Sequence, residues 1–419
     1  MGEHHLGQGR LGGEEAVRVR PGTTAVLVGG VVSSLAAYAF QILGARSLGD
    51  AAYAPVGILW TLQYLVLTIG LLSVEAHVTR RGGVSRGVWR WITALTVVVG
   101  TGVLAAGGHL FDAPSPAWAP TAAAIVVGFG LFAVVRGQAA ARGDFLGYSL
   151  LTGGESVLRL LFAVVLLAIG AGAVGLAATL PAGAGVVALV WLGRRRLSAL
   201  PPSGRGGGTL PFFAATTVAN GIAQLLLASG PLVAAALGAG PAAITVVFVT
   251  TTAARAPLVF IHSGALARVL PPMRRMLAAG QHGRLRARVV RMALPAVALV
   301  VLAAVFGALT GPFLIALAFG ADLRPPVVLA ALTAVSVTLT MAALVLNQVA
   351  IAFEVQGRLL RPWLLGLLAG IAALWLAGPD PVTQVAVASA AGLAVATAGV
   401  LVTVLQHLGT SLRAPHPDA

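Results

Sequence analysis

The chain contains no cysteine, and its 27 basic residues are all arginine, so it contains no lysine either. The first absence excludes disulfides, thiolate nucleophiles and cysteine-ligated metals, and it leaves the redox compartment open. The second excludes a phosphate-loop lysine and Schiff-base chemistry, so no ATP-driven motor is expected in this chain. Charge as a whole is scarce: 9% of the 419 residues are charged and 58% are hydrophobic, with a mean hydropathy of +0.94. A water-soluble domain with an ordinary surface does not show that balance; an integral membrane protein does.

Apolar runs of about 18 residues cross a bilayer as helices. Twelve lie near 23–43, 54–74, 89–108, 119–135, 149–170, 173–192, 210–230, 242–264, 290–309, 327–350, 362–378 and 382–406. The expected fold is therefore all-α, a polytopic membrane protein of about twelve transmembrane helices. Residues 1–22 read as a disordered cytoplasmic tail and 407–419 as another. The segment 193–209, "GRRRLSALPPSGRGGGT", reads as a cytoplasmic linker between two six-helix halves, 23–192 and 210–406. "TTAVLVGG" leading to "ARSLGDAAYAPVGILWTL" in the first half is echoed by "ATTVANGI" leading to "AALGAGPAAITVVFVTTT" in the second. Such repetition is common in secondary transporters, whose sites lie between the halves.

A net charge of +15 would point to nucleic acid in a soluble protein, but its distribution says otherwise. The odd-numbered loops hold only Arg46 and Arg324, beside Asp50, Asp112, Asp322 and Asp380, whereas the alternate loops hold nineteen arginines. By the positive-inside rule both termini face the cytoplasm, in keeping with an even number of spans in a cytoplasmic membrane. The basic residues are read as a topology signal with some affinity for anionic lipid, and no nucleic-acid partner is expected.

Catalytic constellations are few. "GVSRG" at 83–87 has the nucleophile-elbow spacing but sits in an arginine-rich loop, not on a strand-to-helix turn. The eight histidines show no metal-ligand spacing, so no metal or other cofactor is expected. No external loop carries a carboxylate pair, and the chain does not read as an enzyme; a membrane glycosyltransferase would have to rely on Asp50. The intramembrane polar residues remain, and these are costly at bilayer depth. Glu155 and Arg159 stand four apart on one face of span five, near its cytoplasmic end, either as a structural pair or as lumen groups. Arg255 lies mid-span in span eight, beside Pro257, suited either to hold phosphate or to pair with Glu75 or Glu155. Glu75 closes span two, where it either titrates with transport or snorkels. Asn220, Gln224, Asn347 and Gln348 offer hydrogen bonds either to sugar hydroxyls or between helices, and Gln41, Gln63 and Tyr64 have the same two readings. Small residues four apart, such as Gly29, Ser33 and Ala37, allow close helix approach.

The stretch from Arg136-Gly137 through "RGDFLGY" to Glu155 and Arg159 resembles the span-four to span-five hairpin of bacterial polysaccharide exporters and lipid-linked oligosaccharide flippases. That family shares a superfamily with the multidrug and toxin extrusion transporters. "ARSLGDAAYA" after span one, "AARAPLVF" in span eight, "LPPMRRMLAAG" after it and "ALAFGADL" before span ten fall in the family's order, over roughly residues 23–405. The resemblance implies two six-helix bundles around a cationic central cavity that opens alternately to either side. It makes Arg255 a cavity arginine, matches Glu155 and Arg159 to a span-five pair, and matches Arg46, Leu48 and Gly49 to a structural span-one exit motif. No aspartate stands in span seven, a departure that bears on ion coupling. The expected function is translocation of a polyprenyl-(pyro)phosphate-linked oligosaccharide or a related cell-envelope precursor. Arg255, Arg159, Asn220, Gln224 and Asn347 would bind substrate, and Glu75 and Glu155 would act in ion coupling or gating. Expected partners are the lipid-linked glycan, membrane lipid, and a glycan polymerase or glycosyltransferases. The alternatives are a cation-coupled multidrug extruder and, from another class, a membrane glycosyltransferase or a non-catalytic envelope-assembly scaffold.

Overall fold

Glycine sets the turns of this chain. The computed structural model describes residues 21–111, 115–194, 221–256, 273, 275–276, 279–352 and 358–411, and among them there is no strand. Helix α1 (Pro21–Leu65) is broken at Gly49, whose φ of 79° and ψ of 178° suit a residue without a Cβ. Tyr38 and Tyr64, on either side of that break, meet the same turn of a later helix, so the chain doubles back at Gly49. Span two continues through a π-helical turn, Val66–Leu71, into α2 (Leu72–Arg81). Then come α3 (Arg86–Leu110), α4 (Trp118–Ala141), α5 (Phe145–Ala168) and α6 (Gly172–Arg194). The second half holds α7 (Gly230–Ala236), preceded by helical residues 221–228, then α8 (Pro241–Ala254), α9 (His282–Phe319), α10 (Val327–Ala352), α11 (Leu360–Leu376) and α12 (Pro381–Ser411). Gly238, at φ 80°, turns α7 into α8 as Gly49 turns span one into span two, so the echo read in the sequence recurs in the backbone.

Eight of the described helices are long and apolar enough to cross a membrane, and Pro241–Ala254 and Leu360–Leu376 are shorter apolar helices. One of the eight, Thr24–Arg81, holds two spans because of the Gly49 break. With span seven around α7 the fold is the expected polytopic α-helical one. The boundaries differ in places. Span nine extends over His282–Phe319 rather than 290–309, and span twelve runs to Ser411, so 407–411 is helix rather than tail. Pro21 and Gly22, assigned to the leading tail, begin α1. Residues 1–20, most of the 193–209 linker, the start of span seven, Asp112 and the end of span eight with Pro257 lie outside the described residues.

The motif "RGDFLGY" is a helix stop followed at once by a helix start. Gly143, at φ 69°, closes α4 in the left-handed conformation, and the Asp144 N–H returns to the Ala139 carbonyl at 2.9 Å. The Asp144 carboxylate then accepts from the Gly147 N–H at 2.8 Å as the N-cap of α5. Close approach follows the small residues: a Cβ on Gly29 would strike Ser149, and the Ser33 hydroxyl lies 2.7 Å from that of Ser156. In the second half a Cβ on Gly366 would stand 2.6 Å from the Gly392 carbonyl oxygen, which locks α11 against α12.

One end of the molecule is rich in arginine, with Arg80, Arg81, Arg86, Arg142, Arg284 and Arg358 at or near helix termini; the Gly49 end carries Arg46 and Arg324. Two apolar cores follow this polarity. The larger fills the N-terminal bundle and continues, towards the Gly49 end, into Ile244, Phe248, Ile315, Phe319 and Leu329 of the C-terminal bundle. The smaller, with Leu285, Val349, Trp363 and Val404, lies in the C-terminal bundle towards the arginine-rich end. Among the described residues the bundles thus share a core at the Gly49 end.

Candidate functional site

Where the bundles meet at mid-depth, Arg255 caps the C-terminus of α8. Counting 14 residues from Pro241 at 1.5 Å each puts it about 21 Å from the Gly49 end. Its Nε donates to the Thr251 carbonyl at 2.9 Å and an Nη donates to the Thr252 hydroxyl at 3.2 Å. The guanidinium stands 4.9 Å from the centroid of the Tyr64 ring on the opposite bundle, a cation–π distance. The Tyr64 hydroxyl donates to Gln224 Oε1 at 3.1 Å, and the Tyr38 hydroxyl donates to the Thr252 carbonyl at 3.1 Å. Four spans therefore converge on one half-buried arginine. Among the described residues no carboxylate forms an ion pair with it, and the two candidates for that pairing are engaged elsewhere.

Glu155 pairs with Arg159 at 3.3 Å. The Ser156 hydroxyl donates to Glu155 Oε2 at 2.8 Å, and Arg159 stacks over Trp60 at 4.5 Å and Phe40 at 5.7 Å. Both charges are buried, 4% and 3% exposed, and packed against α6, where a Cβ on Gly183 would meet Glu155 and Arg159. Fourteen residues beyond Phe145, Arg159 lies about 21 Å along α5, at mid-depth inside the N-terminal bundle rather than near the cytoplasmic end of span five. The reason is the early helix start at the Asp144 cap, which leaves both residues well inside the span. Arg159 and Arg255 thus occupy separate clusters.

Glu75 neither snorkels nor stands alone. It pairs with Arg136 at 3.3 Å and accepts from the Tyr148 hydroxyl at 2.9 Å, while Arg136 also donates to that hydroxyl and stacks over its ring at 4.6 Å. This clamp joins α2, α4 and α5 near the arginine-rich end. Gln224 reaches the Arg255 cluster through Tyr64, but Asn347 does not join it in any described contact; its Oδ1 is buried and has no hydrogen-bond partner among the described residues. Asn220 lies outside the described residues, as does the side chain of Gln348. Gln41 and Gln63 are buried at 2% and 6% exposure. Sequence reading missed the roles of Arg136, Tyr148 and Tyr38. A usable signal existed for Arg136, which shares its membrane depth with the oppositely charged Glu75.

The Gly49 end is shut. Arg46 donates from Nε to the Ala318 carbonyl at 2.8 Å and from Nη2 to the Leu317 carbonyl at 2.5 Å. The Thr245 hydroxyl donates to the Asp50 carbonyl at 2.5 Å, and Phe248 lies against Tyr53 with ring centroids 5.9 Å apart. Asp50, whose carboxylate accepts its neighbour's N–H at 2.7 Å, is part of this closure.

No protein-family model and no curated protein matches the sequence. Solved structures do match. An inward-facing multidrug resistance MATE family transporter of the MOP superfamily superposes with a TM-score of 0.66 at 14% identity, over 95% of this chain and 100% of that one. The chain has the fold of the MATE transporters. An outward-facing multidrug resistance MATE family transporter of the MOP superfamily gives a TM-score of 0.56 at 16% identity, over 93% and 95% of the two chains. A MOP superfamily transporter from Pyrococcus furiosus, whose binding pocket of reverse polarity suggests a different function, gives 0.59 at 16% identity over 93% and 95%.

Proposed function

We propose that the chain is a secondary transporter that carries amphipathic organic molecules across the cytoplasmic membrane by alternating access, the extruder reading that its structural neighbours favour. Both termini and the arginine-rich end face the cytoplasm in this reading. The observation that carries it is the Arg255 cluster, a guanidinium that no described carboxylate pairs and a tyrosine ring on opposite bundles at mid-depth, beneath a closed gate. A guanidinium with no described carboxylate repels cationic solutes and attracts anionic or aromatic ones, so the preferred cargo is a neutral or anionic amphiphile. Glu75 is the coupling candidate, because its clamp is partly exposed (17% for Arg136 and 12% for Glu75), whereas the Glu155–Arg159 pair is enclosed and acts in bundle integrity.

A second reading rests on the same arginine. A polyprenyl-(pyro)phosphate-linked oligosaccharide would present its phosphate to Arg255 and its sugars to Gln224 and Asn347, and glycosyltransferases or a glycan polymerase would then be partners. Proteoliposomes loaded in turn with an anionic dye, a cationic dye and a labelled lipid-linked oligosaccharide separate these readings. The extruder reading expects export of the anionic dye, lost in Arg255→Ala while the protein remains folded. Translocation of the oligosaccharide alone establishes the second reading. Export of the cationic dye, undiminished in Arg255→Ala, refutes the role given to this arginine.

A further inference from the structure

A cavity of about 570 Å³ opens at the Gly49 end, well away from Arg255. Ile58 of α1, Phe111 and Trp118 around the α3–α4 turn, and residues 171–174 between α5 and α6 form its walls on the N-terminal bundle. Pro241 and Ile244, from the first turn of α8, form the wall on the other bundle. Phe111 and Trp118 stack with ring centroids 5.3 Å apart and are almost fully buried. Among the described residues the lining carries no charge, and its one hydroxyl is that of Ser115, which accepts the Ala117 N–H at 3.2 Å.

This volume is that of a drug-sized ligand site, and the described lining gives a charged group nothing to replace its hydration. The wall from α8 is part of the closure, held by Thr245 on Asp50 and Phe248 on Tyr53. Parting the bundles at this end withdraws Pro241 and Ile244 and opens the cavity on that side. A molecule that touches both walls therefore binds the closed state more tightly, and it shifts the equilibrium by that difference in affinity.

We propose that this cavity binds an uncharged apolar molecule of drug size, which bridges the two bundles and holds the Gly49 end shut. It is a site for an inhibitor rather than for cargo. Binding stands on the cavity alone, and the locking effect rests on the alternating-access reading.

The chain lacks cysteine, so the test can be built on the full protein in lipid nanodiscs. The probe is 4,4′-dibromobiphenyl, whose bromines quench nearby tryptophan. The expected result is a saturable quenching component that is lost in Trp118→Phe and in the cavity-filling variants Ala173→Trp and Ile244→Trp, which approach from opposite walls. Unchanged thermal unfolding in at least one filling variant shows that the loss is not misfolding. Quenching that never saturates, or that persists in every filled variant, overturns the site. For the gate, an Asp50→Cys/Thr245→Cys pair reports closure through its rate of disulfide formation, expected to rise about tenfold with probe. Saturable quenching with an unchanged disulfide rate overturns the locking effect, whereas a failure of alternating access itself shows separately, as absence of dye export in the proteoliposomes.

Discussion

On the proposed alternating-access function, Arg46 is the residue whose removal should most directly unbalance the two states. Its guanidinium reaches from the end of span one to the Leu317 and Ala318 carbonyls, the last turn of α9, where no further helical N–H is available to donate to them. A hydrogen bond from a charged donor contributes about 1.5–3 kcal/mol, and a cation at a helix C-terminus adds a favourable dipole interaction. Arg46 is exposed, so screening by water brings the whole contact down to about 1.5 kcal/mol. That corresponds to a change of about tenfold in the ratio of closed to open forms at this end. Nitroxides on Gly108→Cys and Pro379→Cys, exposed positions at the Gly49 ends of the two bundles, would read the ratio as distance populations by electron–electron double resonance. Arg46→Ala should move population about tenfold towards the longer distance. Arg46→Lys, which keeps the charge but loses the fork, should move it by less. Identical distributions in all three proteins would refute the assignment of Arg46 as a latch.

Glu75→Gln and Arg136→Gln should each lower stability by about 1–2 kcal/mol, since the pair is only partly exposed, and a double-mutant cycle read by thermal unfolding in detergent should return a coupling near that size. Gly366→Val sets a side chain against the Gly392 backbone, where nothing can give way, and should cost about 1–3 kcal/mol or abolish folding, whereas Gly154→Ala, with open space around it, should fold normally in the same yield assay. Asp380 caps α12: the Thr383 hydroxyl and N–H bond its carboxylate at 2.6 and 2.9 Å and hold its carboxyl below the ordinary value. A depressed folded value stabilises above the ordinary carboxylate range and loses that contribution as the pH falls through the folded value. Asp380→Ala should therefore cost about 1 kcal/mol at pH 7, with the difference from wild type shrinking in strong acid when melting is followed against pH.

The span pattern was legible because it depends on a single solvent, the bilayer, acting on each helix separately. Arginine placement and the glycine punctuation at Gly49 and Gly143 are equally local. The site was less legible because its members meet only through tertiary packing. Arg255 stood out as a lone charge in an apolar run, but Tyr64 carries no mark of the guanidinium 191 positions away that rests on its ring. Arg136 looked like one more loop arginine until α4 was seen to extend past it, turning a topology charge into the partner of Glu75. The depth of Glu155 and Arg159 was misjudged for a comparable reason. Asp144 starts α5 earlier than hydropathy alone suggests, which carries both residues inward.

The core shared by the two bundles at the Gly49 end gives the gate a thermal character. Parting Phe248 from Tyr53 and Ile244 from its neighbours exposes apolar surface to water, so opening resembles a small, local unfolding step. Exposure of that kind raises the heat capacity. The opening equilibrium should then follow a curved van't Hoff plot, and the apolar part of the closing force should weaken on cooling. On the proposed transport function, a chain closed in this way would have its resting state set partly by the temperature at which its membrane is held.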